Sequence, residues 1–352
     1  MSAKLFLCSC CLVPGLLIGQ AGKLTPAEQD RQESAAEQQG QTAAAQRNTA
    51  WAQEHPARDS TGLIPIPDLG RETYQGEPGG LYPGGANTPP KEHLNAGLKL
   101  SRQIVPLDQA GQPSPDGKIV LLTIGYSNAN QESRTFLELC ARQTDLNPKL
   151  VIVNGAENGQ GAAAAADPNN RYWTSVAHQL EAAGVTAQQV EAVWMKQASG
   201  LPRQPFPIEV KKLESDVVKD LQNLHDKFPN LKITYLSSRT YGGYAVVPTS
   251  PEPHAYEGGF AFKWIIADQI AGQPELNYDP AKGAVRAPWI EWGPYLWADG
   301  VKGRRDGKLV WERDDFGPDG THPSIKGREK VARLLLEFFR EDPTSRPWFV
   351  RQ

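Results

Sequence analysis

The sequence predicts an α/β protein whose core is a parallel sheet with helices on both faces. Two features of the pattern carry that prediction. Short runs of branched residues, apolar at nearly every position, recur along the chain, and most are followed by a stretch with apolar residues at helical spacing. Runs without alternation belong to strands buried on both faces, and strands alternating with helices build parallel sheets. A third observation concerns function: glycine and polar residues gather just after the apolar runs.

Taken in order, Ile119-Val120-Leu121-Leu122-Thr123-Ile124 is the first strand, and a helical pattern through Phe136, Leu137 and Leu139 follows. Leu150-Val151-Ile152-Val153 is the second strand, with helical residues from Val176 to Ala183 behind it. Val190 to Met195 is the third strand, and Ile208 to Phe228 reads as a long amphipathic helix. Leu231 to Leu236 is the fourth strand, followed by helical residues from Phe260 to Ile270. The tryptophan-rich block from Trp289 to Trp311, with a turn at Asp306-Gly307, reads as a hairpin insertion. Ile325 to Phe339 is a final amphipathic helix with Pro323 near its first turn. One domain is expected over residues 118–342, with 343–352 as a tail.

The upstream third is different. Residues 1–21 combine Lys4, an apolar stretch from Leu5 to Ile18 and the small residues Gly19 and Ala21, the pattern of a cleaved signal peptide. The stretch is short for a membrane span, so an exported protein, periplasmic or extracellular, without a stable span is expected. Leu7-Cys8-Ser9-Cys10 loosely imitates a lipobox, which leaves lipoprotein anchoring as the alternative. Residues 22–60 are rich in Gln, Ala, Glu and Arg with few large apolar side chains, and read as disordered or loosely helical. Residues 61–117 are dense in Gly and Pro but carry Ile, Leu and Tyr anchors, and read as an extended segment lying over the domain.

Composition narrows the function classes. Among 352 residues, 39% are hydrophobic and 22% charged, enough for a sizeable core, and the net charge of -3 gives no basic footprint for nucleic acid. Of four cysteines only Cys140 lies beyond the leader, so neither an internal disulfide nor a thiolate metal cluster is expected. Cys140 reads as a small apolar residue on a helix face. Composition says nothing of the oligomeric state.

In parallel sheets ligands bind beyond the carboxyl ends of the strands. Those ends deliver Gly125-Tyr126-Ser127-Asn128, Asn154-Gly155, Lys196-Gln197, and the run from Ser237 to Tyr244. Asp319-Gly320-Thr321-His322-Pro323-Ser324 precedes the last helix. Ser127 opens a helix, where it serves either as a nucleophile or as an N-cap. Asp319 and His322 stand three residues apart, close enough for the carboxylate to turn back onto imidazole Nδ1–H and leave Nε2 for a serine. The other reading of this pair is an Asx-turn with His322 as a helix cap. Asn128, Arg239, Tyr241 and Glu257 are candidate substrate contacts on the rim. Trp292 and its aromatic neighbours, if exposed, would offer flat faces to sugar rings; if buried, they are core.

Glu312, Asp314, Asp315 and Asp319 crowd one loop, but an EF-hand beginning at Asp315 would place Lys326 at its twelfth position. No His-Glu-x-x-His helix occurs. No catalytic metal and no cofactor are expected, and a structural calcium stays open.

Gly125-Tyr126-Ser127-Asn128, Asn154-Gly155 and Asp319-Gly320-Thr321-His322-Pro323 together resemble the motif blocks of the SGNH, or GDSL-like, hydrolase superfamily, over roughly residues 118–342. The resemblance implies a flavodoxin-like three-layer sandwich and an acyl-serine mechanism. Ser127 would be the nucleophile, His322 the base and Asp319 its partner, with the N–H groups of Ser127 and Gly155 in the oxyanion hole. Two positions depart from the family. Tyr126 stands where Asp is usual, and the third block lacks its Asn. Lys196 or Gln197 would replace that donor, Lys196 first because it shares a strand face with Trp194. The bland reading of Lys196 is a salt bridge at the strand end. The expected function is that of an exported esterase or acyl hydrolase on small-molecule or carbohydrate esters, acetylated carbohydrate foremost. A non-catalytic carbohydrate- or ligand-binding protein on the same fold is the rival, and an acyl transferase is a third possibility.

Overall fold

The computed structural model describes residues 49–351. The signal peptide expected at 1–21 and most of the low-complexity segment at 22–60 lie outside the described residues.

Five strands form the central sheet: β1 (Ile119–Gly125), β2 (Leu150–Asn154), β3 (Val190–Lys196), β4 (Ile233–Leu236) and β5 (Trp289–Trp292). Their order is β2-β1-β3-β4-β5, and every neighbouring pair is parallel. This is the flavodoxin-like doubly wound order, and the fold is the expected three-layer α/β sandwich. Every side chain of β1 and β3 is buried, which is why apolar residues fill most of their positions, with Glu191 and Lys196 the charged exceptions in β3.

The helices are α1 (Lys91–Ser101), α2 (Ser127–Ala141), α3 (Arg171–Ala182), α4 (Ile208–Lys227), α5 (His254–Ala271), α6 (Ile325–Glu341) and the short α7 (Arg346–Phe349). Strand alternation assigns them to faces. Tyr235 packs edge-on against Phe338 and Phe339 of α6, whereas Trp292 packs against Phe262 of α5. Tyr235 is in register with Glu291 and Leu236 with Trp292, so the two contacts lie on opposite faces. Ser133 of α2 donates to Thr123, whose row runs through Trp194 to Tyr235, placing α2 on the α6 side. Cys140 is buried on α2, and burial pushes its thiol up to about 12.

Three expectations are corrected. The block beginning at Trp289 is no hairpin insertion. Trp289–Trp292 pairs in parallel with β4 at the edge of the sheet, because all four side chains, the large Trp289 and Trp292 among them, are buried between the layers as a two-sided hairpin would not allow. Residues 61–117 are not merely extended. Pro90 precedes an eleven-residue helix, α1, seated on β5 through Gly97, where a Cβ would come within 2.4 Å of the Trp289 ring. Residues 343–352 are not a free tail, since α7 buries Trp348 and Phe349 against Phe339. The described end of the 22–60 segment holds a helix, Thr49–Glu54, and a strap at Arg58–Gly62. Among the described residues no helix is long and apolar enough to cross a membrane.

Candidate active site

β1 and α2 meet at a turn that only small residues permit. A Cβ on Gly125 would fall 2.4 Å from the Lys196 carbonyl and 2.5 Å from Ala129 Cβ. Tyr126 is the extended N-cap and makes no capping bond with its side chain. Ser127 is therefore the first helical residue rather than a cap. Its Oγ instead lies 2.8 Å from His322 Nε2. The first amides of α2 have no intrahelical acceptor, and the helix dipole makes this corner electropositive.

His322 comes from the turn before α6. Its Nδ1 lies 2.6 Å from Asp319 Oδ2, while Asp319 Oδ1 accepts from the amides of Thr321 and His322, each at 3.0 Å. One carboxylate thus makes both the Asx-turn and the contact with the imidazole, because it has lone pairs for each. The helix cap is Ser324, which accepts from Gly327 N–H, not His322. Gly320 has φ 68°, and a Cβ there would lie 1.7 Å from the Tyr244 carbonyl, so the Asp-Gly-Thr-His turn requires glycine. Burial raises the Asp319 pKa, but the imidazole and the two amides together hold it below the usual carboxylate value. An ionised Asp319 keeps Nδ1 protonated and Nε2 free to take the serine proton. Ser127 and Asp319 are buried, and the His322 ring is 19% exposed.

Two expected oxyanion donors are corrected. The Gly155 N–H donates to the Thr123 carbonyl at 2.9 Å, extending the β1–β2 ladder, and so is committed. A Cβ there would press on Leu122 and Thr123, so packing explains this glycine. Lys196 Nζ lies 2.5 and 2.6 Å from the two oxygens of Glu132 on α2. The salt-bridge reading of Lys196 holds. Burial pushes its ammonium down to about 8 and raises the Glu132 carboxyl, each shift opposed by the partner's charge. Glu132 carried no sequence signal beyond its place on a helix; the register of α2 over β3 brings it to Lys196.

Gln197 is fully buried, and both atoms of its amide lack a partner. Arg239 is buried with Nε unpartnered. Asn128 donates to the Thr321 carbonyl at 2.9 Å, so it ties α2 to the histidine turn rather than facing a ligand. Tyr241 and Trp292 are not rim contacts. The first donates to the Arg58 carbonyl and the second to the Leu81 carbonyl, and both are core. Trp289, Trp297 and Trp311 are buried too, so of the two readings of these aromatics the core one holds. Glu257 accepts from the Tyr74 hydroxyl at 2.7 Å and is likewise buried. The acidic loop holds Glu312, Asp314 and Asp315 together, with Lys326 Nζ 2.5 Å from Glu312 and 2.8 Å from Asp314. The lysine supplies the cation that the cluster calls for, and Asp319 is turned away to His322.

The chain is thus an α/β protein with a hydrogen-bonded Ser-His-Asp series beyond the carboxyl edge of a parallel sheet. No family model and no curated protein matches it by sequence. Solved structures similar to it include the protein YxiM of Bacillus subtilis, at 12% identity and TM-score 0.35, covering 65% of this chain and 57% of that one. A salicylyl-acyltransferase, SsfX3, from a tetracycline biosynthetic pathway matches at 16% identity and TM-score 0.34, covering 66% and 58%. The periplasmic domain of a lipopolysaccharide acetyltransferase of Salmonella ser. Paratyphi A matches at 12% identity and TM-score 0.33, covering 70% and 96%. The matched part spans less than two thirds of the first two.

Proposed function

We propose that the protein is an exported serine hydrolase that cleaves ester bonds through an acyl-serine. The observation that carries the reading is the continuous series Ser127 Oγ, His322, Asp319, with contacts of 2.8 and 2.6 Å. His322 Nε2 takes the Ser127 proton as Oγ attacks the ester carbonyl. The tetrahedral intermediate collapses, and the same proton goes to the departing alcohol. His322 then takes a proton from water as the water oxygen attacks the acyl carbonyl, and it returns that proton to Ser127 Oγ as the acyl bond breaks and the acid leaves. The oxyanion falls to the first amides of α2 and to Gln197, which stands directly after β3 with an unpartnered buried amide. Gln197 thus takes the role that the sequence assigned first to Lys196.

Labelling with a neutral fluorophosphonate tests this. The wild-type chain is expected to gain one adduct on Ser127, and Ser127→Ala none, with ester turnover falling by about 10³-fold or more. A folded wild-type chain that takes no label and turns over no ester would leave the ligand-binding reading instead.

A further inference from the structure

Arg239 follows β4 and is 4% exposed, yet its Nε donor has no hydrogen-bond partner. Burial lowers its pKa, while Glu132, Tyr126, Glu252 and Asp319 lie near enough to favour its charge. Each of those carboxylates is engaged elsewhere. Glu132 holds Lys196, Asp319 holds His322, and Glu252 accepts from Trp297 Nε1 and from the amides of Gly242 and Tyr256. A buried guanidinium without a dedicated acceptor is costly to keep.

This arginine lines a cavity of about 20 Å³ with Ser199, Ser250, His254, Glu209 and Val210. Glu209 lies on the same wall without a hydrogen bond to the arginine, and its Oε2 accepts from the amides of Arg203 and Gln204. The His254 Nδ1 is buried without a hydrogen bond, 3.4 Å from Glu257. Arg239 links the cavity to the neighbourhood of the serine, since the charges of Tyr126 and Asp319 bear on its guanidinium. A Cβ on Gly200 would lie 3.4 Å from the hydroxyl of Tyr126, which precedes Ser127. Ser250 donates to the Ser199 carbonyl, and Thr321, next to His322, donates to the Thr249 carbonyl. Gln197 and Thr240, chain neighbours of the lining residues Ala198 and Arg239, carry further unpartnered polar atoms.

We propose that this cavity receives a carboxylate carried by the ester substrate, with Arg239 as its anchor. The inference rests on the serine-hydrolase reading and names the substrate class of that site. A planar carboxylate matches the donor fork of arginine, and the cavity has room for a group of that size but not for a sugar ring. A neutral substrate would leave the buried donors unmatched.

The test compares ester pairs that differ only in charge: the 4-nitrophenyl monoester of glutaric acid with that of glutaramic acid, and 3-acetoxybenzoate with 3-acetoxybenzamide. In at least one pair the acid should exceed the amide in kcat/KM by about 10–100-fold, the range of a charge-assisted hydrogen bond. Arg239→Met should pull that ratio toward one, and Arg239→Lys should leave an intermediate value. A wild-type ratio near one in both pairs overturns the proposal, as does a ratio that folded Arg239→Met leaves unchanged. If Arg239→Met fails to fold, the wild-type ratios decide. Absence of phosphonate labelling in the wild type would strike the serine reading alone. Calorimetry of glutarate and 3-hydroxybenzoate against their amides on the same chain would then decide, and equal or absent binding would overturn the anion site.

Discussion

Ser127 and His322 are 195 residues apart in sequence, and neither is unusual by its local pattern. A serine opening a helix is a common cap, and the cap reading fails only because Tyr126 occupies that position. Asp319 was legible because its partner is local: three residues suffice to close a hydrogen-bonded turn. The donors proposed for the oxyanion were not legible. Gly155 looks the same in sequence whether its amide is free or held by Thr123. Gln197 can be judged at residue scale by exchanging shape-matched side chains. Gln197→Met keeps the volume and removes the donor. It should lower kcat by about 10²-fold or more. The melting temperature should hold or rise, since a buried unsatisfied amide disappears. Unchanged kcat in the folded variant would remove Gln197 from the mechanism.

In the proposed mechanism helix α2 matters through its seating as well as its first residue. Lys196 and Glu132 join β3 to α2 in a site where both side chains are at most 1% exposed. Taking two charges out of water is expensive, and removing one leaves the other uncompensated. Glu132→Gln should therefore cost about 3–5 kcal/mol in urea unfolding. Lys196→Met with Glu132→Met should recover most of it, because an apolar pair fills the same space without buried charge. A single-variant cost below about 1 kcal/mol would mean that the pair is not ionised in the fold. The sequence placed Lys196 correctly at a strand end and on the face of Trp194. It did not reveal which helix residue would meet it, because that depends on how far α2 slides along β3.

At the scale of the molecule, the segment before the sheet is fastened to the segment after it. Asp299 is fully buried and accepts from the Ser60 hydroxyl, from both the amide and hydroxyl of Thr61, and from the amide of Gly62. Tyr241 holds the Arg58 carbonyl, and Gly243 accepts from the Arg58 amide, so the strap touches the loop whose Tyr244 carbonyl backs Gly320. Asp299→Ala would remove the acceptor that four donors share and should cost about 2–4 kcal/mol by unfolding. Limited proteolysis should then cut the variant within 55–62 much faster than the wild type. Equal cutting would show that the strap is held by other contacts.

Strand and helix order, the parallel sheet and the Asp319–His322 turn are all written in local pattern. Unbroken apolar runs, helical spacing and a three-residue turn depend on near neighbours, and near neighbours are what a sequence displays. The fifth strand, the burial of the tryptophans, the commitment of Gly155 and Lys196, and the unmatched Arg239 depend on which distant segments come into register. Those pairings arise when the sheet closes and the helices settle on it. Local periodicity carries no record of them, so only the folded chain reveals which polar groups are taken and which remain for a ligand.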